Sequence, residues 1–150
     1  MKCPCGATLS PPPDGRRHRC AGCGLIHDRQ SDYYGPTAAG TPPKERSPEE
    51  PFDAYRVDWP YSPDDLERIR WGLTPADMGD KWCACLEGEE IFFFRSWSGL
   101  LCYKLRVTPT GIDQVRIARS VPKHDWHLTV ARWLVEYKLV GRDWPFPKGP

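Results

Sequence analysis

The sequence predicts an α+β protein in which a small cysteine-bearing unit precedes a module of about four antiparallel strands packed with two helices. Four of the seven cysteines lie in two close pairs within the first 24 residues. All seven Trp and all five Phe lie at or after Phe52, whereas nine of the 17 Pro lie within the first 51 residues. Large apolar side chains therefore begin late in the chain, and the core is expected in the second part.

The chain of 150 residues is expected to divide into three parts. Residues 1–30 form the cysteine-bearing unit and residues 52–150 form the module. Between them, residues 31–51 are rich in Pro and Gly with almost no aliphatic side chains, a composition typical of a linker. The net charge is +1, so no long-range field favours nucleic acid or a membrane surface. Because there is no apolar run of about 18 residues and no signal-peptide pattern, we expect a soluble, cytoplasmic protein.

The N-terminal cysteines lie in two short motifs, Cys3-Pro4-Cys5-Gly6 and Cys20-Ala21-Gly22-Cys23-Gly24. This arrangement resembles a zinc ribbon, although the first knuckle is C-x-C where the family has C-x2-C. His18 or His27 are alternative ligands if the shortened knuckle alters the geometry. Four protein ligands leave no open coordination position, so the predicted zinc is structural and not catalytic. The predicted ligands are Cys3, Cys5, Cys20 and Cys23.

A basic segment, Arg16-Arg17-His18-Arg19, lies between the two cysteine motifs. Residues 1–30 carry five Lys or Arg and two Asp, which gives a net charge of +3. Four thiolates around Zn²⁺ add −2, so the unit as a whole would carry about +1. That charge is low for a nucleic-acid module. We therefore expect a solvated hairpin tip, with phosphate contact as the alternative.

Two helices are predicted in the module from their start and stop signals. Ser62-Pro63-Asp64-Asp65 indicates an N-cap, a Pro in the first turn and acids at the positive end of the helix dipole, and Gly72 is the expected end. Asp125 is predicted to cap a long helix that ends at Gly141. Asp113–Arg119 alternates as a fourth strand between them.

The segment from Asp80 to Val107 reads as an antiparallel meander with two tight turns. A two-residue loop at Gly88-Glu89 predicts that Trp82 lies opposite Arg95. A second loop at Ser98-Gly99 predicts that Phe94 lies opposite Tyr103.

Side chains alternate across a strand, so this register predicts two faces. The predicted core face comprises Cys83, Cys85, Phe92, Phe94, Leu101, Tyr103, Leu105 and Val107. The opposite face is both aromatic and cationic and comprises Trp82, Ala84, Phe93, Arg95, Cys102, Lys104 and Arg106. A face that only contacts solvent does not usually combine large aromatic and cationic side chains, so we predict a functional site on this face.

Two elements of the meander carry a resemblance to a known kind of domain. Pro75-x-x-Met78-x-Asp80-Lys81-Trp82, followed by Arg95-Ser96-Trp97-Ser98-Gly99 and Tyr103, resembles an uncharacterised small bacterial domain associated with ADP-ribosylglycohydrolase-type and macrodomain proteins. The resemblance covers roughly residues 66–140. It implies an ADP-ribose or nucleotide context and no assigned activity.

The chemistry of the predicted site fits an anionic ligand with a planar ring. The Arg95 guanidinium and turn N–H groups can hold a phosphate or carboxylate, while an indole stacks on a base. Alternatively, Arg95 simply stacks on Trp82 across the hairpin. The predicted ligand-binding residues are Lys81, Trp82, Arg95, Ser96, Trp97, Ser98 and Lys104.

Three functions remain open at this point. The first is a non-enzymatic binding module for a nucleotide or ADP-ribose-type small molecule, which can sense or sequester a signalling nucleotide. The second is a zinc-ribbon nucleic-acid-binding protein, and the third is an ADP-ribose-processing hydrolase. Signals for catalysis are weak, because the sequence has no P-loop, no dinucleotide fingerprint and no catalytic zinc pattern. Cys83, Cys85 and Cys102 are expected to be buried, inert thiols.

Overall fold

The computed structural model describes residues 2–10, 16–27, 40, 42–43, 45–75 and 81–149. These residues form two antiparallel sheets and two helices, which confirms the predicted α+β class. The elements are β1 (His18–Arg19), β2 (Ile26–His27), β3 (Phe52–Pro60), α1 (Pro63–Trp71), β4 (Trp82–Glu87), β5 (Glu90–Arg95), β6 (Leu101–Thr108), β7 (Gly111–Ala118), α2 (His124–Trp133) and a π-helical segment (Leu134–Val140) that continues α2. Within the described ranges, no helix is both long and apolar enough to cross a membrane.

The larger sheet has five strands in the order β3-β7-β6-β5-β4, with every neighbouring pair antiparallel. Four of these strands follow one another along the chain as predicted. The fifth, β3, pairs with β7 and was not expected. Its register shifts between Arg56 and Trp59. Burial nevertheless alternates along the strand, with Tyr55, Val57 and Trp59 between exposed residues, so a period-two signal was present in the sequence and was missed.

The first hairpin of the meander has the predicted register. Cys83 lies opposite Phe94, and Trp82 lies opposite Arg95. Gly88 has a φ of +63°, the left-handed conformation that a two-residue hairpin loop requires.

The predicted second hairpin is wrong: its turn is two residues longer, and a bulge in β6 leaves the pairing beyond it shifted by one residue. Arg95 pairs with Leu100, since its N–H donates to the Leu100 carbonyl at 2.9 Å, and four residues form the turn instead of two. The bulge in β6 brings Phe93 opposite Tyr103, where Phe94 was expected. A shift of one residue moves every side chain of a strand to the other face, so the predicted composition of both faces changes.

The face of the sheet that packs against the helices is formed by Ala84, Phe93, Tyr103, Leu105 and their neighbours. The prediction that Tyr103 and Leu105 share a face with Cys83 and Phe94 is therefore wrong. The opposite face carries a smaller buried cluster, comprising Cys83, Cys85, Phe92, Phe94 and Leu101. The part of the sheet formed by β4, β5 and the start of β6 is thus buried on both sides.

The chain before β3 covers this smaller cluster. The Arg46 guanidinium lies 4.7 Å from the centroid of the Phe94 ring, and the Ser47 N–H donates to the Gly99 carbonyl at 3.2 Å. A side chain at Gly99 would clash there, because its Cβ would lie 2.0 Å from the Glu45 carbonyl oxygen. The rest of the predicted linker, residues 31–39 with 41 and 44, lies outside the described residues.

Helix α1 begins and ends where predicted. The Ser62 hydroxyl accepts a hydrogen bond from the Asp65 N–H at 3.2 Å, Pro63 occupies the first turn and Gly72 is the C-cap. The carboxylate of Asp65 is 2% exposed and is paired with Arg16 and Arg142. Burial of an acid at this position requires those two guanidinium groups.

Helix α2 begins one residue before the predicted cap. It starts at His124 after Lys123, which has a left-handed φ of 57° and makes no side-chain capping bond, so Asp125 lies in the first turn and is not the N-cap. The π-helical segment ends at Gly141 as expected, with a φ of 91°.

The N-terminal unit contacts this helical end through Arg17. Its guanidinium donates to the Leu139 carbonyl at 2.9 Å and to the Gly72 carbonyl at 2.7 Å, and the residue is only 1% exposed. The Arg68 side chain in turn donates to the Arg17 carbonyl at 2.8 Å. Arg17 is therefore a buried contact between the two units, and not part of the solvated tip that the sequence suggested.

Candidate functional site

A pocket of about 380 Å³ opens where β4 begins and β5 ends. The paired strands bring Trp82 and Arg95 side by side, and the Ser96 N–H donates to the Lys81 carbonyl at 3.0 Å, which fixes the chain entering β4. Helix α2, the π-helical segment and the C-terminal tail supply the remaining walls. Five separate parts of the fold thus converge on one cavity.

Three cationic side chains line this pocket: Lys81, Arg95 and Lys138. The described part of the lining contains no carboxylate. The Arg95 guanidinium lies 4.8 Å from the Trp82 ring centroid, so it stacks on the indole and lines the pocket at the same time. Clustered positive charge in a partly enclosed cavity attracts anions.

Aromatic rings form most of the remaining surface. Trp126 and Trp133 come from α2, and both pack edge to face against Phe146 of the tail, with centroids 6.3 Å and 4.9 Å away. Both indole N–H groups bind the tail backbone: that of Trp126 donates to the Lys148 carbonyl at 2.8 Å and that of Trp133 to the Trp144 carbonyl at 3.2 Å. The tail is thereby held along one side of the pocket.

His127 is the titratable group of the lining whose charge can change near neutral pH. Its Nδ1 is hydrogen-bonded to the hydroxyl of Tyr103, a residue that is 0% exposed. Burial, and then the neighbouring His124 and Arg95, lowers the pKa of His127 below its usual value. Burial raises the pKa of the Tyr103 phenol far above its usual value, so that hydroxyl keeps its proton.

Three of the predicted ligand-binding residues, Lys81, Trp82 and Arg95, line the pocket. The turn residues Ser96, Trp97 and Ser98 do not. Trp97 is 73% exposed, and the Ser98 hydroxyl accepts a hydrogen bond from the Leu100 N–H at 3.3 Å.

The prediction that Lys104 shares a face with Trp82 and Arg95 is wrong. Lys104 is buried on the opposite face, where its ammonium lies 5.0 Å from the Phe92 centroid and pairs with Glu49. The cause is the bulge in β6, which reverses the two faces of β6 relative to β5.

Sequence reasoning missed the contribution of the helix and the tail to this pocket. The missed lining residues are Trp126, His127, Val130, Trp133, Lys138 and Phe146. One signal was present: Trp126, Val130 and Trp133 are spaced by four and three residues, which places them on one face of a helix.

The four N-terminal cysteines form a second candidate site. The sulfur atoms of Cys3, Cys5, Cys20 and Cys23 all lie within 4.8 Å of one another, so they can hold a metal ion. The sulfur atoms of Cys3 and Cys23 lie 3.5 Å apart and those of Cys5 and Cys20 lie 3.6 Å apart. The shortened first knuckle therefore still reaches the cluster. His18 and His27 stack on each other with centroids 5.3 Å apart and are not part of this cluster.

Backbone N–H groups around Cys20 favour its thiolate. Those of Cys23 and Gly22 lower the pKa of the Cys20 thiol to about 6, and the Gly22 N–H lies 3.3 Å from the sulfur. Cys85 and Cys102 are buried as expected, and burial raises the pKa of each thiol to about 11. Among the described residues, the N-terminal cysteines are the group whose sulfur atoms lie close enough together to share one metal ion.

Comparisons of the chain with protein-family models, curated proteins and solved structures found no match.

Proposed function

We propose that the protein is a non-enzymatic binding module for a nucleotide or ADP-ribose-type small molecule, held in the pocket between the sheet and α2. The observation that carries this proposal is the charge of the lining, since Lys81, Arg95 and Lys138 face a cavity whose described walls hold no carboxylate. The charges that a phosphate would meet on the described walls are attractive. Arg95 is the best placed to bind it with two parallel hydrogen bonds.

The aromatic walls suit the other half of such a ligand. Trp126, Trp133 and Phe146 offer ring faces and edges on which a nucleobase can stack, whereas the Trp82 ring already stacks on Tyr103 and Arg95. A cavity of about 380 Å³ lies at the lower end of the range for small-molecule sites, where a mononucleotide fits. The resemblance of residues 66–140 to domains of ADP-ribose-related proteins favours the same ligand class.

For the cysteine cluster we propose a structural zinc ion. In a tetrahedral site with Zn–S bonds of about 2.3 Å, neighbouring sulfur atoms lie about 3.8 Å apart. The separations of 3.5 Å and 3.6 Å in the cluster are close to that value. With four thiolate ligands the ion would stabilise the small N-terminal unit and take no part in ligand chemistry.

Calorimetric titration with ADP-ribose, AMP and cyclic dinucleotides tests the proposed binding. Replacement of Arg95 by Ala should weaken the binding of a phosphate-bearing ligand by about 2–4 kcal/mol, because a charge-assisted hydrogen-bond pair is lost. Arg95→Lys should recover only part of that loss, since the ammonium keeps the charge but not the planar fork.

The matched control is Arg119→Ala, because Arg119 is an exposed arginine of the same sheet region whose partner is Asp53 and which lies outside the pocket. It should bind like the parent. If no nucleotide binds the parent, or if Arg95→Ala binds every ligand as the parent does, the proposal fails. Chromatography of the titrated ligand would reveal a hydrolase, and a steep salt dependence with oligonucleotides would favour the nucleic-acid alternative.

A further inference from the structure

His124 and His127 of α2 each bind a tyrosine hydroxyl through Nδ1, but they differ in what their Nε2 binds. The Nδ1 of His124 lies 2.6 Å from the Tyr55 hydroxyl, and the Nδ1 of His127 is bonded to the Tyr103 hydroxyl. The Nε2–H of His124 donates to the Ala118 carbonyl at 3.1 Å, so both of its ring nitrogens are used within the fold. The Nε2 of His127 has no partner among the described residues, and this ring lines the pocket.

The surroundings of Tyr103 decide which nitrogen of His127 carries the proton. The Tyr103 hydroxyl is buried, and its one hydrogen-bond partner in the described structure is His127. A buried hydroxyl that finds no acceptor loses stability, so its O–H must donate to Nδ1. The neutral ring then carries its own proton on Nε2, the nitrogen left for the pocket.

We propose that His127 recognises the ligand as a neutral hydrogen-bond donor, its Nε2–H directed to a phosphate oxygen and its tautomer fixed by Tyr103. This inference rests on the proposed function and adds the position at which one phosphate oxygen is bound. Lys81, Arg95 and Lys138 supply positive charge to the pocket, whereas an N–H held by a buried partner selects where one acceptor oxygen must lie. Tyr103 is a positioning residue, because it acts through His127.

The first test needs no ligand. Nitrogen NMR of the parent at pH 7.5 should show His127 as the neutral Nε2–H tautomer, its signals being those that disappear in His127→Gln. In Tyr103→Phe the same ring should become a mixture of tautomers, because nothing then fixes Nδ1 as an acceptor. An Nδ1–H tautomer or an imidazolium in the parent at this pH would overturn the inference, whatever ligand the pocket binds.

The second test measures affinity for AMP and ADP-ribose, with adenosine as the uncharged comparison. His127→Leu should lose about 10- to 100-fold in affinity for AMP, the range expected for a hydrogen bond to a charged group. His127→Gln should lose only a few-fold, since its amide nitrogen can stand near the position of Nε2. Adenosine should bind the parent and both variants equally.

The matched control is His124→Gln, which changes a histidine of the same helix that is bonded within the fold. It should leave AMP affinity nearly unchanged, because His124 does not line the pocket. Thermal melts of all variants identify any that fail to fold. Should the parent bind AMP while His127→Leu binds it equally well, the inference is wrong and the proposed function stands. If the parent binds neither AMP nor ADP-ribose, the proposed function itself fails.

Discussion

At the scale of single residues, His127 links stability to pH. Burial and the nearby cations lower the pKa of His127 in the folded protein below the value of 6.5 that it has when unfolded. Between pH 6.5 and the lower folded value, the unfolded chain therefore binds more protons than the folded one. The free energy of unfolding must then fall as the pH falls through this window.

Because glutamine cannot titrate, His127→Gln should lose this contribution to the pH dependence of stability. The urea midpoint of the parent should decrease between pH 7.5 and pH 5, and the decrease should be smaller in the variant. Urea denaturation at half-unit pH steps measures both curves, and a reversible transition at each pH is required. Parallel curves for the two proteins would show that His127 is not responsible.

Single residues also show how far the sequence predicts the site. Trp82 and Arg95 could be placed side by side because a two-residue turn at Gly88 fixes the register of the first hairpin. Lys104 could not be placed, because its face is set by the bulge in β6 between the partners of Phe93 and Phe94, which no local pattern predicts. Phe146 and Lys138 reach the pocket through long-range packing, for which local patterns carry no information.

At the scale of elements, the π-helical segment and its neighbours depend on Arg17. The last carbonyls of a helix have no partner within it, and the negative end of the helix dipole lies there. Arg17 satisfies the carbonyl of Leu139, and it also binds the carbonyl of Gly72 at the end of α1. One guanidinium thus joins the ends of two helices.

Replacing Arg17 by Ala should lower the free energy of unfolding by about 2–4 kcal/mol, because two buried carbonyls lose charge-assisted hydrogen bonds. The matched control is Arg19→Ala, since Arg19 is an exposed neighbour whose guanidinium lies 5.2 Å from the Trp71 centroid. That change should cost less than about 1 kcal/mol. Chemical denaturation compares the two, and equal losses would show that the buried contact contributes no more than a surface one.

Elements differ in how well their sequences identify them. Helix α1 was predicted at both ends, because Ser62 and Gly72 are local capping signals that act within a few residues. Strand β3 was missed although Tyr55, Val57 and Trp59 alternate with exposed residues, a period-two pattern that indicates a strand. The start of α2 after Lys123 was also missed, because a left-handed lysine leaves no pattern in a sequence.

At the scale of the whole molecule, one chain of contacts joins the cysteine cluster to the pocket. Cys20 follows β1, and β1 begins directly after Arg17. Arg17 binds the carbonyl of Leu139, and the preceding residue, Lys138, lines the pocket. A metal ion that fixes the N-terminal unit would therefore also support one wall of the pocket.

We accordingly expect one zinc ion per chain, and its removal should weaken both folding and ligand binding. Cys20→Ser should lose the ion, melt at a lower temperature and bind ADP-ribose less tightly than the parent, because Arg17 is then held less firmly against Leu139. Elemental analysis, thermal melts and calorimetry measure the three effects. The matched control is Cys83→Ser, which changes a buried thiol outside the cluster and should keep its zinc even if it is less stable. Undiminished zinc in Cys20→Ser would refute the metal site, whereas loss of zinc with unchanged ADP-ribose affinity would show that the cluster and the pocket are independent.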